Sequence, residues 1–539
     1  MRFGILFGAA ALALVSACAT TPPPTGTVQS RIEADVAWLA DDAREGREAG
    51  TAGYDAAAAY VADRMKAAGL RPVGRRNWLQ EVPLRAAVRD LEATQLTLNS
   101  AAGVTTLVHL EDYIMSHSFD EATFAVSAPL VYAGYGVSAP EEGVDDYEGL
   151  DVAGKIVVLF SGAPPDMNSE KRAYYSSGGA KAKAAAARGA VGMLTIPSQA
   201  ASERAPPWSR LVAGAANPGI AAIGPDGRAL TAAPGLQASA FLNAAGAEKL
   251  FAGEAVDFKG LQAFEAQGKG APNGFQLSKS ATLAGASTHS NLRSANVIGL
   301  IEGSDPRLKR EIILLTAHLD HIGVSRTAKP GEDAINNGAL DNAGGVAVML
   351  EAAAAFAASG KRPKRTIAFA AVTAEEKGLI GSDYLARNPA FGRGRIVANV
   401  NLDMPIALYA FTDVIAFGAE RSTIGEAVGD AAQSMGIALS PDPIPQQNLF
   451  VRSDHFSFVK QGVPAVFLVT GFANGGQEAF ESFLKDHYHK PSDDLSRPID
   501  YEALARFTEL NYRIARTLAD APEAPRWKDG DFFGSMFGK

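Results

Sequence analysis

Three apolar runs between residues 312 and 403 each lead into side chains that bind metal ions or move protons. Residues 312–316 run into His318-Leu319-Asp320-His321, residues 366–372 into Glu375-Glu376, and residues 397–402 into Asp403. Between the first two lies Gly338-Ala339-Leu340-Asp341-Asn342-Ala343-Gly344-Gly345, which opens an alanine-rich helix reaching about Ala358. Imidazole nitrogen and carboxylate oxygen are the donors a catalytic zinc ion takes, and such an ion keeps one position open for water. His318, Asp341, Glu376 and Asp403 supply that donor set. Glu375 adjoins Glu376 without competing for the metal and suits a general base. Asp320, two residues from His318, is expected to hold the other ring nitrogen of that histidine and fix its tautomer. Taken singly, each has a plainer explanation: a structural histidine, a solvated helix start, a helix cap at Asp341 or a turn cap at Asp403. Their order at successive strand ends argues for a common site.

Short continuous apolar runs alternating with helical stretches predict a parallel sheet buried on both faces. Ligands of such sheets gather beyond the carboxyl ends of the strands. The fold class is therefore α/β, a doubly wound, mixed and mostly parallel sheet with helices on both faces. Ile32, Val36 and Leu39 fall at helical spacing, and a second helix from about Tyr54 to Ala68 stops at Gly69 with Pro72 beyond. A Gly-rich loop, Glu45-Gly46-Arg47-Glu48-Ala49-Gly50-Thr51, separates them. Residues 296–302 and 311–316 read as paired strands joined by Gly303-Ser304-Asp305-Pro306. The last helix, 501–518, carries Leu504, Phe507, Leu510 and Ile514 on one face. From about 123 to 260 the texture becomes strand-rich and Gly/Pro-punctuated, with no histidine. Gly134 and Gly136 lack the third glycine and helix start of a nucleotide loop.

A length of 539 residues predicts more than one domain. The formal charge of -9 gives no case for a nucleic-acid partner, which requires a basic face. The only cysteine is Cys18, which follows a basic start, an apolar run at 3–14, and Val15-Ser16-Ala17. This resembles a bacterial lipoprotein signal peptide (1–18) whose cleavage leaves Cys18 as the lipid-bearing first residue. A plain secretory signal is the alternative. The Pro-rich residues 19–30 form a tether. Ala19, where aspartate would imply inner-membrane retention, points to the outer membrane facing the periplasm. The expected organisation is a catalytic domain at 31–122 and 261–522, an insert at 123–260, and a loosely held tail at 523–539.

The motifs Ala317-His318-Leu319-Asp320-His321, Gly338 to Gly345, Ala374-Glu375-Glu376-Lys377-Gly378, Asn401-Leu402-Asp403-Met404 and Tyr488-His489-Lys490-Pro491-Ser492-Asp493 resemble those of the co-catalytic di-zinc aminopeptidases. That family also includes glutamate carboxypeptidase-like enzymes. Residues 123–260 are similar to the protease-associated domain inserted in secreted peptidases. The resemblance selects His489 as the remaining ligand, which spacing leaves open among His455, His487 and His489. It implies the zinc exopeptidase fold and two Zn2+ ions per chain, one on His318 and Asp403 and the other on Glu376 and His489. Asp341 bridges them. Three carboxylates against two divalent cations leave one positive charge, which a single hydroxide, the nucleophile, neutralises.

The resemblance also implies Glu375 as base and a cis peptide at Asp341-Asn342. His321 is placed outside the metals' immediate ligands, and Asp454 and His455 in Ser453-Asp454-His455-Phe456 as supporting residues. Some relatives carry an oxyanion-binding tyrosine just before this last motif. Here Phe450 stands nearby, leaving the role to Arg452 or a metal. The expected activity is that of an exported zinc aminopeptidase acting on peptides. A carboxypeptidase or dipeptidase on the same scaffold is the alternative, and a non-catalytic receptor-like protein a more distant one.

Overall fold

The computed structural model describes residues 24–74, 77–199, 207–231, 233–267 and 271–538. The expected signal peptide, Cys18 and the first part of the expected tether lie outside the described residues.

Two sheets share one long strand, Phe275–Ile301. Its second half pairs antiparallel with Leu79–Arg89 and, through residues 297–301, with Thr366–Val372. From there the first sheet continues in parallel through Glu311–His318, Arg395–Leu402 and Ala465–Thr470. Asp413–Phe417 and Ala438–Ser440 close that edge. The four parallel strands are buried along almost their whole length, as a sheet covered on both faces must be. This is the mixed, mostly parallel α/β architecture that the sequence predicts. One pairing differs. Residues 296–302 and 311–316 are not neighbours, because the chain crosses over through the helix Gly344–Ala358 and lays Thr366–Val372 between them.

The core of this layer gathers Ile32, Val36 and Leu39 from Val28–Leu39, the apolar face of Ala52–Ala67, the helix Gly344–Ala358, and Leu504, Phe507, Leu510 and Ile514 from Tyr501–Asp520. Gly344–Ala358 is apolar nearly all round because sheet and helices pack on several sides of it. A buried ion-pair network locks the covering helices together: Arg64 binds Asp35 at 2.7 Å and Glu351 at 2.9 Å, and Arg31 joins it through Glu351.

The second sheet runs through Gly103–Leu107, Gln95–Ser100, the first half of Phe275–Ile301, Thr123–Tyr132, Ile156–Phe160, Gly192–Ile196, Ala238–Leu242 and Tyr113–Met115. Three of these strands, spanning 95–115, precede the expected boundary at 122/123. In the other direction, Gly219–Ala222 leaves the insert and pairs with Leu79–Arg89 at the edge of the first sheet. The two layers are thus stitched by strand exchange as well as by chain connections.

The tail is not loose. Phe533 is fully buried against Phe450 and Phe456, at ring distances of 5.4 and 5.5 Å. Trp527 donates its indole N–H to the Gly462 carbonyl at 2.9 Å, and Asp531 pairs with the nearly buried Arg421 at 3.1 Å. Phe532 and Phe537 meet Tyr174 of the insert edge-on. Proline and glycine break the regular structure of this segment, but its aromatic residues anchor it.

Candidate metal centre

Because Glu311–His318, Thr366–Val372 and Arg395–Leu402 are parallel, their carboxyl ends share one edge of the sheet. His318 closes the first, Glu375 and Glu376 follow the second, and Asp403 follows the third. Asp341 reaches the same edge on the turn Ala339–Ala343, where the Asp341-Asn342 peptide is cis. Asn342 ties that turn to the Asp403 strand. Its amide donates to the Leu402 carbonyl at 2.9 Å, and its oxygen accepts from Gly345 N and Met404 N. Gly338 enters the turn at φ 61, and a Cβ there would lie 2.2 Å from the Asp341 carbonyl oxygen. Only glycine fits that approach.

The donor atoms converge. His318 Nε2 lies 3.1 Å from Asp341 Oδ1 and 3.1 Å from Asp403 Oδ1. His489 Nε2 lies 3.4 Å from Asp341 Oδ2 and 3.1 Å from Glu376 Oε2. Asp341 therefore divides its two oxygens between two groups. Tetrahedral zinc with donors at about 2.0 Å has donor–donor edges of about 3.3 Å, close to these four separations. His321 also reaches the second group, 2.7 Å from Glu376 Oε1 and 3.9 Å from Asp341 Oδ2. His321, Asp341 and Glu376 each offer one donor atom within 4.8 Å of the others, so both imidazoles border the second group.

A direct test of fit comes from atoms without partners. Asp341 Oδ2, Glu376 Oε1 and both ring nitrogens of His321 are buried with no hydrogen bond of acceptable geometry. Buried polar atoms are seldom left so. A cation between these groups would satisfy them, and the residues present fit zinc. Burial works to lower His318, but Asp403, Glu375 and Asp341 outweigh it and raise it well above the usual imidazole range. Burial likewise works to lower His489, while hydrogen bonds and charge from Asp341 and Glu376 hold it up at about 10. Burial pushes the Glu375 carboxyl well above the ordinary carboxylate range. His318 opposes this, and Asp454, Glu376 and Asp403 add to it.

Asp320 requires a correction. The ring of His318 donates from Nδ1 to the backbone carbonyl of Asp320 at 3.0 Å, and this contact, not the carboxylate, fixes the tautomer. The Asp320 carboxylate turns to the next strand and accepts the amides of Glu375 and Glu376 at 3.0 and 3.3 Å. It holds the strand end that carries those two side chains.

Other supports were not assigned from sequence. The Asp493 carboxylate accepts the amides of Leu340 and Asp341, each at 3.0 Å. Ser453 donates to Asp403 Oδ2 at 2.6 Å, leaving Oδ1 toward His318, and is itself reached by Asn401, which accepts from Thr316. Asp493 and Ser453 stand inside recognisable motifs, which was the signal available for them. His455 is buried away from the donor groups, giving its Nε2–H to the Phe450 carbonyl at 2.6 Å, and burial drives it down to about 3. The Asp454 carboxylate is buried without a hydrogen bond, and burial pushes it up to about 7. Phe450 packs with Phe533 beneath the Arg421 guanidinium and offers no polar group to the site. Arg452 is exposed, Tyr488 stacks on His489 at 3.8 Å, and His487 bonds to Ser492.

His489 opens onto a cleft of about 770 Å3, within the usual range for ligand sites. Its walls include the paired Glu48 and Lys377, the segment 322–333, and Asn217, Pro218 and Ile220 from the insert. A separate cavity of about 700 Å3, bordered by Phe417, Arg421 and Phe450, contains none of the donor atoms.

Residues 296–515 match the model of peptidase family M28, and residues 126–228 match the PA domain. Among curated proteins, a probable zinc metalloprotease of Leptosphaeria maculans is 26% identical over 277 residues, covering 44% of this chain and 59% of that protein. Leupeptin-inactivating enzyme 1 of Streptomyces exfoliatus is 31% identical over 188 residues, covering 34% and 37%. The chain spans about half the length of the curated relatives it matches. Among solved structures, an aminopeptidase from Aneurinibacillus sp. strain AM-1 aligns with a TM-score of 0.50 and 19% identity, over 92% of this chain and 95% of that one. That likeness is one of fold.

Proposed function

We propose, from the premise that residues 296–515 belong to peptidase family M28 and residues 126–228 to the PA domain family, that this protein is a zinc-dependent aminopeptidase. The observation that carries the reading is Asp341, whose two oxygens face two separate histidine–carboxylate groups. His318, Asp341 and Asp403 would hold one ion, and Asp341, Glu376 and His489 a second. Zinc bound there supplies Lewis acidity, polarising a carbonyl oxygen and acidifying water.

The chain's own residues do the rest. Glu375, set by the Asp320 clamp beside the ligand Glu376, takes the proton of the attacking water and delivers it to the departing amine. The cleft walls from segment 322–333 and the insert restrict the peptide and limit water around it. With Phe450 committed to an apolar cluster, Arg452 and the Tyr488 hydroxyl are candidate donors to a developing oxyanion. Export and a lipid tether at Cys18 complete the proposal. Labelled fatty acid that still attaches to Cys18→Ser would remove that part.

The reading is tested with free and amino-terminally blocked dipeptides, with and without chelator. Cleavage of the free substrates alone, abolished by chelator, is expected. Preference for blocked substrates would favour the carboxypeptidase or dipeptidase reading, for which exposed Arg452 and, on the cleft wall, Arg326 are candidate cations. Lys377, on the cleft wall, is already paired with Glu48 at 2.8 Å. Glu375→Gln is expected to keep its zinc and lose at least about a hundredfold in turnover; near-normal turnover would remove Glu375 from the chemistry.

A further inference from the structure

Arg47 is one of the largest fully buried side chains in the protein, only 1% exposed. It lies outside the region that matches the peptidase family, on the loop between the first two helices. The loop is pressed hard against the segment leading to the Asp341 turn: a Cβ on Gly46, at φ 66, would stand 2.4 Å from the Asn336 carbonyl oxygen. Arg47 itself holds φ 50, a left-handed conformation that is costly for a residue with a side chain. Burying a guanidinium is also costly unless each face finds partners.

Among the described residues, every hydrogen bond of the Arg47 side chain goes to a backbone carbonyl. Nε donates to Leu319 at 3.0 Å, Nη1 to Leu39 and Asn337 at 2.6 Å each, and Nη2 to Gly338 at 3.0 Å. Leu319 follows His318 at the strand end, and Asn337 and Gly338 begin the turn that carries Asp341. One rigid fork thus spans the two backbone segments that bring His318 Nε2 to 3.1 Å from Asp341 Oδ1. Asp493 grips the same turn from its other side, accepting the amides of Leu340 and Asp341. The turn is held by a cation on its carbonyls and an anion on its amides.

We propose that Arg47 is a positioning residue for the metal centre, setting the separation of His318 and Asp341 and through it the affinity for the ion they share. The inference rests on the ligand set proposed above. The planar guanidinium presents donors along three directions to separate chain segments, whereas an ammonium is a single point on a stem and cannot span them. Lysine is therefore no substitute.

The test uses full-length Arg47→Lys and Arg47→Met, stripped of metal and titrated with zinc against a chromophoric chelator. The visible absorption of the cobalt-substituted proteins reports ligand geometry, and circular dichroism with thermal melting of the metal-free forms reports the fold. Both variants are expected to melt cooperatively, bind zinc about 10–100-fold more weakly, as loss of a residue supporting a ligand commonly does, and show an altered cobalt spectrum. Wild-type affinity and spectrum in either variant would overturn the proposal. Should neither variant fold, Asp493→Asn loosens the same turn from its amide side without adding a buried charge. Weaker zinc binding there sustains the clamp, and unchanged binding overturns it. A wild-type protein that binds no zinc at all would instead defeat the underlying metal-site reading.

Discussion

Asp320→Asn separates the two roles this residue could have. The structure gives the carboxylate two amide donors, Glu375 N at 3.0 Å and Glu376 N at 3.3 Å, in a fully buried setting. Hydrogen bonds to a charged acceptor contribute about 1.5–3 kcal/mol each, and an abandoned buried donor costs about 1–3 kcal/mol. Asparagine keeps one acceptor oxygen and turns an NH2 group toward the other amide, so one bond is lost and one N–H left facing a donor. The cost should be on the order of 3 kcal/mol. Part will appear as lower global stability, and part as a less fixed Glu376. If half is felt by the bound ion, zinc affinity falls about tenfold, since 1.4 kcal/mol is a factor of ten. The His318 tautomer should survive, because its Nδ1–H bond goes to the Asp320 backbone. Zinc competition and denaturant unfolding measure the two parts. Combined with Glu376→Ala, the effect of Asp320→Asn on zinc should largely vanish, while it should add to that of Ser453→Ala, which acts on the other ligand group. A variant within about 0.5 kcal/mol of wild type in both measurements, or one whose zinc loss persists undiminished without Glu376, refutes the clamp.

The two candidate histidines can be separated by metal content. His489→Ala should reduce bound zinc from two equivalents toward one, whereas His321→Ala should retain both with weaker binding; the reverse pattern would exchange their roles. Phe533→Ala should destabilise by about 3–5 kcal/mol, as truncation of a buried phenylalanine does, and a loss under about 1 kcal/mol would mean the tail is not packed in solution. Lys181 predicts a pH effect. Its buried amine donates to the Tyr135 and Phe160 carbonyls, and burial, opposed by Asp146, pulls it down to about 7 from 10.5. Between those pH values the unfolded chain binds more protons, so this group makes unfolding free energy rise with pH, by at most about 1.4 kcal/mol per unit. Below about 7 the amine is protonated in both states and the contribution is flat. The stability of wild type minus Lys181→Met should therefore climb from pH 7 to 9.5 in chemical denaturation, and a constant difference would dismiss the buried-amine account.

Strand runs, helices and the residues at their ends were open to reading from sequence, because periodicity and residue type are set by near neighbours. His318, Glu376 and Asp403 could be assigned to one sheet edge from apolar runs alone, and Asp341 to the start of an alanine-rich helix. Family motifs were needed to choose His489, since a histidine far along the chain carries no local sign of its destination. Other features depended on contacts between distant residues. Thr366–Val372 separates two segments that read as a hairpin, because a crossover helix decides which backbone groups meet. The strands within 95–115 join the second sheet because their free edges find partners there, which alternation cannot specify. Asp320 is aimed at its neighbouring strand by the parallel register, though sequence proximity points to His318. Arg47 reads as one charged residue in a glycine-rich loop, and only folding brings it to Asn337, 290 positions away. Local sequence chose the donors and their supporting elements; tertiary packing decided their separations and which groups hold them in place.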